Sequence, residues 1–174
     1  MRSWRYFGCC LFVVIATHVQ AADRRPLPEF TSSRADDWIN GPALSVAGLR
    51  GRVLLVDVWT YGCWNCYRSF PWLNGLEERL AEEPFQVVGI HSPEFERERD
   101  RARVAAKVGE FGLRHPVMID NDLSYWRALR NRYWPTFYLV DKQGTIRHRF
   151  EGETHAGDRR AVAIEQRIEA LLAE

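Results

Sequence analysis

Val53-Leu54-Leu55-Val56-Asp57-Val58-Trp59 is an almost unbroken apolar run that ends a short turn before Cys63-Trp64-Asn65-Cys66. A run of this length, rich in valine, suits a strand buried on both faces, and such a strand needs layers on either side of its sheet. Beyond the turn, Cys66, Phe70, Leu73, Leu76 and Leu80 recur at helical spacing. The cysteine motif therefore opens a helix, which Pro71 is expected to kink. The fold must place two thiols where a central strand hands over to a helix.

The remaining pattern fills in an α/β architecture. Phe85 to His91 reads as a second buried strand and Glu96 to Phe111 as a helix, with Val104, Val108 and Phe111 on one face and a solvated Glu/Asp/Arg face opposite. That charged face does not point to nucleic acid. Pro116 to Ile119 reads as a strand and Leu123 to Arg132 as a helix. Thr136 to Val140 and Thr145 to Phe150 form a hairpin across Asp141-Lys142-Gln143-Gly144, and Ala161, Ile164, Ile168 and Leu171 mark a closing amphipathic helix. Parallel and antiparallel strands then share one central mixed sheet flanked by helices. Residues 22–50, rich in Pro, Ser, Gly and Asp with a turn at Asn40-Gly41-Pro42, form an N-terminal extension expected to hold an extended arm and a short hairpin. The domain itself spans 51–174.

Residues 1–21 read as a secretory signal peptide, with Arg2 and Arg5 ahead of an apolar stretch from Tyr6 to Ala16 and small residues before a cut near Ala21. The apolar stretch is shorter than the ~20 residues that span a bilayer, although a retained anchor is the alternative. Export to the periplasm or an equivalent space changes the meaning of the cysteines. Cys9 and Cys10 leave with the signal, and Cys63 and Cys66 remain as the two thiols of the mature chain in an oxidising compartment. With 24 basic and 23 acidic residues in all, no polyanionic partner is implied. A length of 174 residues leaves room for one ordinary domain.

A thiol at a helix N-terminus meets unsatisfied amides and the positive end of the helix dipole, which favour its thiolate. Cys63 is thus the expected nucleophile. Cys66, one turn inward, can attack the mixed disulfide that Cys63 forms with a protein substrate. A purely structural disulfide here would close a loop of about four residues, for a gain of roughly 2 kcal/mol on the chain-entropy model. A zinc site would need two more soft ligands at recognisable spacing.

Val56-Asp57-Val58-Trp59 leading to Cys63-Trp64-Asn65-Cys66, with Pro71 in the following helix, resembles the active-site segment of thioredoxin-like proteins of the redoxin/TlpA-like kind. Trp59-Thr60-Tyr61-Gly62-Cys63-Trp64-Asn65-Cys66, Val88-Gly89-Ile90-His91-Ser92-Pro93-Glu94-Phe95, Asp120-Asn121-Asp122 and Tyr133-Trp134-Pro135-Thr136 are similar to the DipZ-type thioredoxin-like domain, from about Arg50 to Phe150. The resemblance implies a thioredoxin-like fold and thiol-disulfide oxidoreductase activity on protein thiols and disulfides, with no cofactor or metal. It implies a cis peptide at Trp134-Pro135 that faces the cysteines and, with Trp64, contacts substrate. It implies that Asp57 relays a proton to and from Cys66, a role that suits a carboxylate too costly to bury ionised; a hydrogen-bonded core acid is the other reading. It also implies a CcdA/DsbD-like membrane electron donor.

Trp59, Tyr61 and Trp64 are expected to form an apolar rim around the cysteines, with His91 and Glu94 as weaker site candidates at a strand's carboxyl end. Two other functions compete with dithiol exchange. Thr60-Tyr61-Gly62-Cys63 reproduces the Thr-x-x-Cys half of a peroxiredoxin site, which would give an antioxidant thiol peroxidase, but Val56 stands where that motif wants proline. A Sco-like copper chaperone would space its cysteines by three residues, and here two intervene.

Overall fold

The computed structural model describes residues 24–174, so the signal expected at 1–21 lies outside the described residues. The elements run β1 (Arg25–Pro26), β2 (Trp38–Ile39), β3 (Val53–Trp59), α1 (Trp64–Arg79), β4 (Phe85–His91), α2 (Arg101–Glu110), β5 (Val117–Ile119), α3 (Ser124–Ala128), β6 (Thr136–Val140), β7 (Thr145–Glu151) and α4 (Arg159–Leu172). One seven-stranded sheet has the order β1-β7-β6-β3-β4-β5-β2. Strand β3 lies at its centre, parallel to β4 and antiparallel to β6, and every residue of β3 is buried.

Alternation along β3 divides the core into two layers. Val53, Leu55 and Trp59 face Cys66, Phe70, Leu73 and Leu76 of α1, Val104 and Val108 of α2, and Ile164, Ile168 and Leu171 of α4. Leu54, Val56 and Val58 face Tyr125 of α3 together with Leu27, Phe30, Trp38, Val46 and Leu49 from the N-terminal extension. Leaving the opposite sheet face uncovered would expose β-branched side chains worth about 1.5–3 kcal/mol each when buried. The extension is therefore the second layer of the core.

That role corrects the expected hairpin. Strand β1 pairs with β7 and β2 with β5, so the two short strands close opposite edges of the sheet and do not meet. The turn at Asn40 does form: its backbone is left-handed (φ 62°), and its side-chain amide donates to the carbonyls of Leu113 and His115 at 2.8 and 3.2 Å. This ties the extension to the loop before β5.

Two helices are shorter than their patterns. The expected helix from Glu96 to Phe111 splits into a 3-10 turn at Glu96–Arg99 and α2, because Asp100 is extended and its carboxylate caps the amides of Ala102 and Arg103 at 2.9 and 3.2 Å. The helix expected over Leu123 to Arg132 is confined to α3, between left-handed Leu123 and Arg130. There Asp120 accepts the Tyr125 and Trp126 amides, both at 2.9 Å. Pro71 lies inside α1, which continues through it.

Candidate active site

Strand β3 ends at Trp59, and the turn Thr60-Tyr61-Gly62 carries the chain over the top of the sheet to α1. Cys63 is the N-cap of α1, in extended backbone, and its sulfur accepts the Cys66 amide at 3.2 Å. Cys63 is half-buried and Cys66 fully buried. The two are joined in a disulfide with Cα atoms 5.3 Å apart. The outer sulfur therefore sits on the positive end of a 16-residue helix with an N–H aimed at it, which lowers the cost of a negative charge there.

Asp57 lies between Leu55 and Trp59 on the face of β3 that packs under α1, the same face to which Cys66 belongs. Its register neighbours are Gly89 and Phe137, neither of which offers a side-chain donor. Both carboxyl oxygens are buried without a hydrogen-bond partner, and burial pushes the pKa up to about 8. Asp57 is thus a protonated acid at neutral pH that can reach its carboxylate form near the operating range.

A second polar group backs the turn. Glu98, completely buried, accepts the Thr60 hydroxyl at 2.6 Å and the amides of Glu94 and Phe95 at 2.8 and 3.3 Å, all on Oε2. Any side chain at residue 62 would run into its Oε1, which explains the glycine ahead of Cys63. His91 is buried beside it, stacked on Tyr61 with ring centroids 5.7 Å apart and edge-on to Trp59 at 4.9 Å. Its Nε2 accepts the Tyr61 amide at 3.4 Å, and burial, partly opposed by Glu98, lowers its pKa to about 4. The imidazole is neutral and holds the turn.

The Trp134-Pro135 peptide is cis. Val58 is in register with Thr136, so Pro135 lies at the end of the sheet where β3 feeds the cysteine turn. The Trp134 indole donates to the Ser92 carbonyl at 3.0 Å and packs at a tilt against Trp126 with centroids 4.2 Å apart. Gly152 donates to the Pro135 carbonyl at 2.8 Å.

The apolar rim differs from expectation. Trp59 is fully buried and packs edge-on against Phe70, because the β3 alternation turns it into the core. Trp64 is 66% exposed and Tyr67 45% exposed, with ring centroids 5.4 Å apart. Their i, i+3 spacing on α1 was the available signal for Tyr67. Glu94 is exposed and enters the network through its amide alone. Glu98 escaped the sequence reading because it stands in a run of alternating charges. Its one signal was the three-residue spacing from Phe95, the reach-back of a capping box without the usual Ser or Thr.

Residues 22–164 match the Redoxin family. The chain is 38% identical over 119 residues to protein DipZ of Mycobacterium tuberculosis, covering 67% of this chain but 17% of that protein. It is also 28% identical to the thiol-disulfide oxidoreductase YkuV of Bacillus subtilis, over 87% of this chain and 97% of that one. The solution structure of a thioredoxin-like protein in the oxidised form superposes with a TM-score of 0.73 at 28% identity, covering 86% of this chain and 96% of that one. The chain belongs to the redoxin family, and it is a thioredoxin-like thiol-disulfide oxidoreductase with a Cys63-x-x-Cys66 pair.

Proposed function

We propose that the protein is an exported reductant of protein disulfides, with Cys63 as nucleophile, Cys66 as resolving thiol and Asp57 as proton relay. The carrying observation is the division between the two sulfurs: Cys63 is reachable and faces a helix N-terminus, while Cys66 is sealed in the core on the face that holds Asp57. In the reaction, the Cys63 thiolate attacks one sulfur of a substrate disulfide, and that S–S bond breaks as a Cys63–substrate bond forms. The other substrate sulfur leaves and takes up a proton. Asp57, with a pKa of about 8, first releases its own proton; Cys66 then gives its proton to the resulting carboxylate and attacks Cys63, which releases the second substrate thiolate. Two electrons have moved to the substrate and the enzyme is left as the Cys63–Cys66 disulfide.

Trp64 and the Trp134-Pro135 segment would hold the substrate. Trp64 offers apolar surface beside the nucleophile. With the Pro135 carbonyl taken by Gly152, an extended substrate segment would pair with the main chain of Trp134. The leader-like residues 1–21 support export, and the similarity to DipZ supports a CcdA/DsbD-like membrane donor. Neither position between the cysteines is cationic, so the thiolate lacks the added stabilisation that makes a strong oxidant. A peroxidase reading is disfavoured by Val56, which stands where that motif wants proline, and by Thr60, whose hydroxyl proton is given to Glu98.

The test is a measured reduction potential together with the in vivo redox state. A reductant gives a potential well below the roughly −120 mV of strong oxidants and free thiols at Cys63 and Cys66 in alkylated extracts. A fully oxidised pair with a potential near that upper end would reverse the direction. Cys66→Ser should accumulate mixed disulfides and Cys63→Ser should not; equal trapping would break the role assignment.

A further inference from the structure

We infer that Glu98 tunes the nucleophile: its carboxylate, packed directly behind Gly62, opposes thiolate formation at Cys63 and biases the dithiol couple toward the reducing side. The inference rests on the assignment of Cys63 as the attacking thiol. Three observations carry it. Glu98 is fully buried although it stands in an otherwise exposed, charge-rich turn. Its three accepted hydrogen bonds, from Thr60, Glu94 and Phe95, all fall on Oε2, which aims the second oxygen at the backbone of the cysteine turn, where it has no hydrogen-bond partner. Its carboxyl carbon lies 3.0 Å from the place where a Cβ of residue 62 would stand.

From that position, one Cα–Cα step leads to Cys63, so the carboxylate lies within roughly 8 Å of the Cys63 Cα. The medium between them is buried protein, where a charge is screened far less than in water. The groups facing Glu98 do not cancel it. His91 of β4 is a neutral imidazole and Thr60 contributes a hydroxyl. Tyr61 turns its phenol away to the Arg97 carbonyl. Arg97, on the same turn, approaches Oε1 at 3.8 Å, but its side chain is 61% exposed and its charge is largely spent on solvent. The helix amide at Cys63 and the carboxylate behind it thus act in opposition. The first makes the thiolate accessible, and the second keeps it from becoming so stable that the reduced form loses its electrons reluctantly.

The test follows Cys63 and Cys66 separately by peptide-resolved alkylation of the reduced protein across pH, in wild type, Glu98→Gln and Glu98→Asp. Glu98→Gln keeps the shape and removes the charge, so the Cys63 pKa should fall by about one unit and the couple should become less reducing. Glu98→Asp keeps the charge and should stay nearer wild type. An unmoved Cys63 pKa in Glu98→Gln, or an equal fall in both variants, would overturn the inference, the second because it would mark a packing effect. The wild type supplies a measurement independent of any folding defect. The Glu98 side-chain carbon resonance should show an inflection at the Cys63 pKa in the reduced protein and lose it in the oxidised one, whereas its absence from the reduced protein would refute the coupling. Should Cys66 prove the faster-alkylated thiol, the nucleophile assignment itself fails, an outcome distinct from an unresponsive Cys63.

Discussion

Asp57→Asn offers a thermodynamic test of the proton relay. The wild-type carboxyl is fully buried with no hydrogen-bond partner, and its pKa rises from 3.8 to about 8. In the unfolded chain the same group ionises near 3.8, so between pH 4 and 8 the folded state holds one proton more than the unfolded state. Stability must then fall as pH rises, by about 1.4 kcal/mol per unit, and level off above the folded pKa. By pH 7 the accumulated cost is about 4 kcal/mol, an order-of-magnitude figure. The substituted amide cannot ionise, so the variant should gain stability over wild type by nearly that amount at pH 7 and show almost no gain at pH 4. Urea unfolding of the oxidised protein at several pH values measures the difference directly. A stability difference that does not change with pH would mean that Asp57 is ionised and compensated in the fold, with a pKa too far below a thiol's for it to draw the proton from Cys66. The same variant should slow resolution of the mixed disulfide while leaving Cys63 attack intact, since only Cys66 needs the base.

His91, with its pKa lowered to about 4 by burial, has the opposite sign. Its contribution is lost as pH falls from 6.5 toward 4, at about 1.4 kcal/mol per unit, and His91→Gln should abolish that acid limb in urea titrations. Trp64→Ala should leave the unfolding midpoint within about 0.5 kcal/mol of wild type, because the side chain is mostly exposed, yet raise KM for a protein disulfide more than it lowers kcat. Leu73→Ala removes a fully buried side chain between α1 and the sheet and should cost about 2–5 kcal/mol by denaturant unfolding, with the cysteine chemistry preserved under native conditions.

The elements built on strong periodicity were legible in the sequence. The β3 run, the helix from the cysteines and the strand from Phe85 to His91 all form as read, because burial on both faces or on one helical stripe leaves a pattern in neighbouring residues. What the pattern could not show were decisions made by single side chains at a distance. Asp100 ends the 3-10 turn and starts α2 by capping, although the apolar spacing runs on through it. The N-terminal extension, poor in periodicity, completes the sheet at both edges, since its pairing depends on where β5 and β7 lie and not on its own sequence. Trp59 and Trp64 look alike as aromatics near a cysteine motif, yet strand alternation buries one and the first turn of α1 exposes the other.

Two buried acids thus accompany the cysteine turn, Asp57 on the strand beneath α1 and Glu98 behind Gly62, and their surroundings suit them to different proposed roles. Asp57 has no donor, so burial holds its proton, and it shares a sheet face with Cys66, the sulfur proposed to lose a proton during resolution. Glu98 collects a hydroxyl and two amides on one oxygen, which fixes its position behind Gly62, one residue from the sulfur proposed to carry charge during attack. Exchanging these environments would undo both proposed roles: a fully satisfied acid under α1 would be a poor proton carrier, and a donor-free acid behind Gly62 would have no fixed place from which to act on Cys63. The asymmetry of the thiols follows from the fold's depth, with one sulfur at the helix cap and one in the core. The asymmetry of the acids follows from where backbone amides are available, at the irregular turn around Glu94–Glu98 but not in the middle of a fully paired strand.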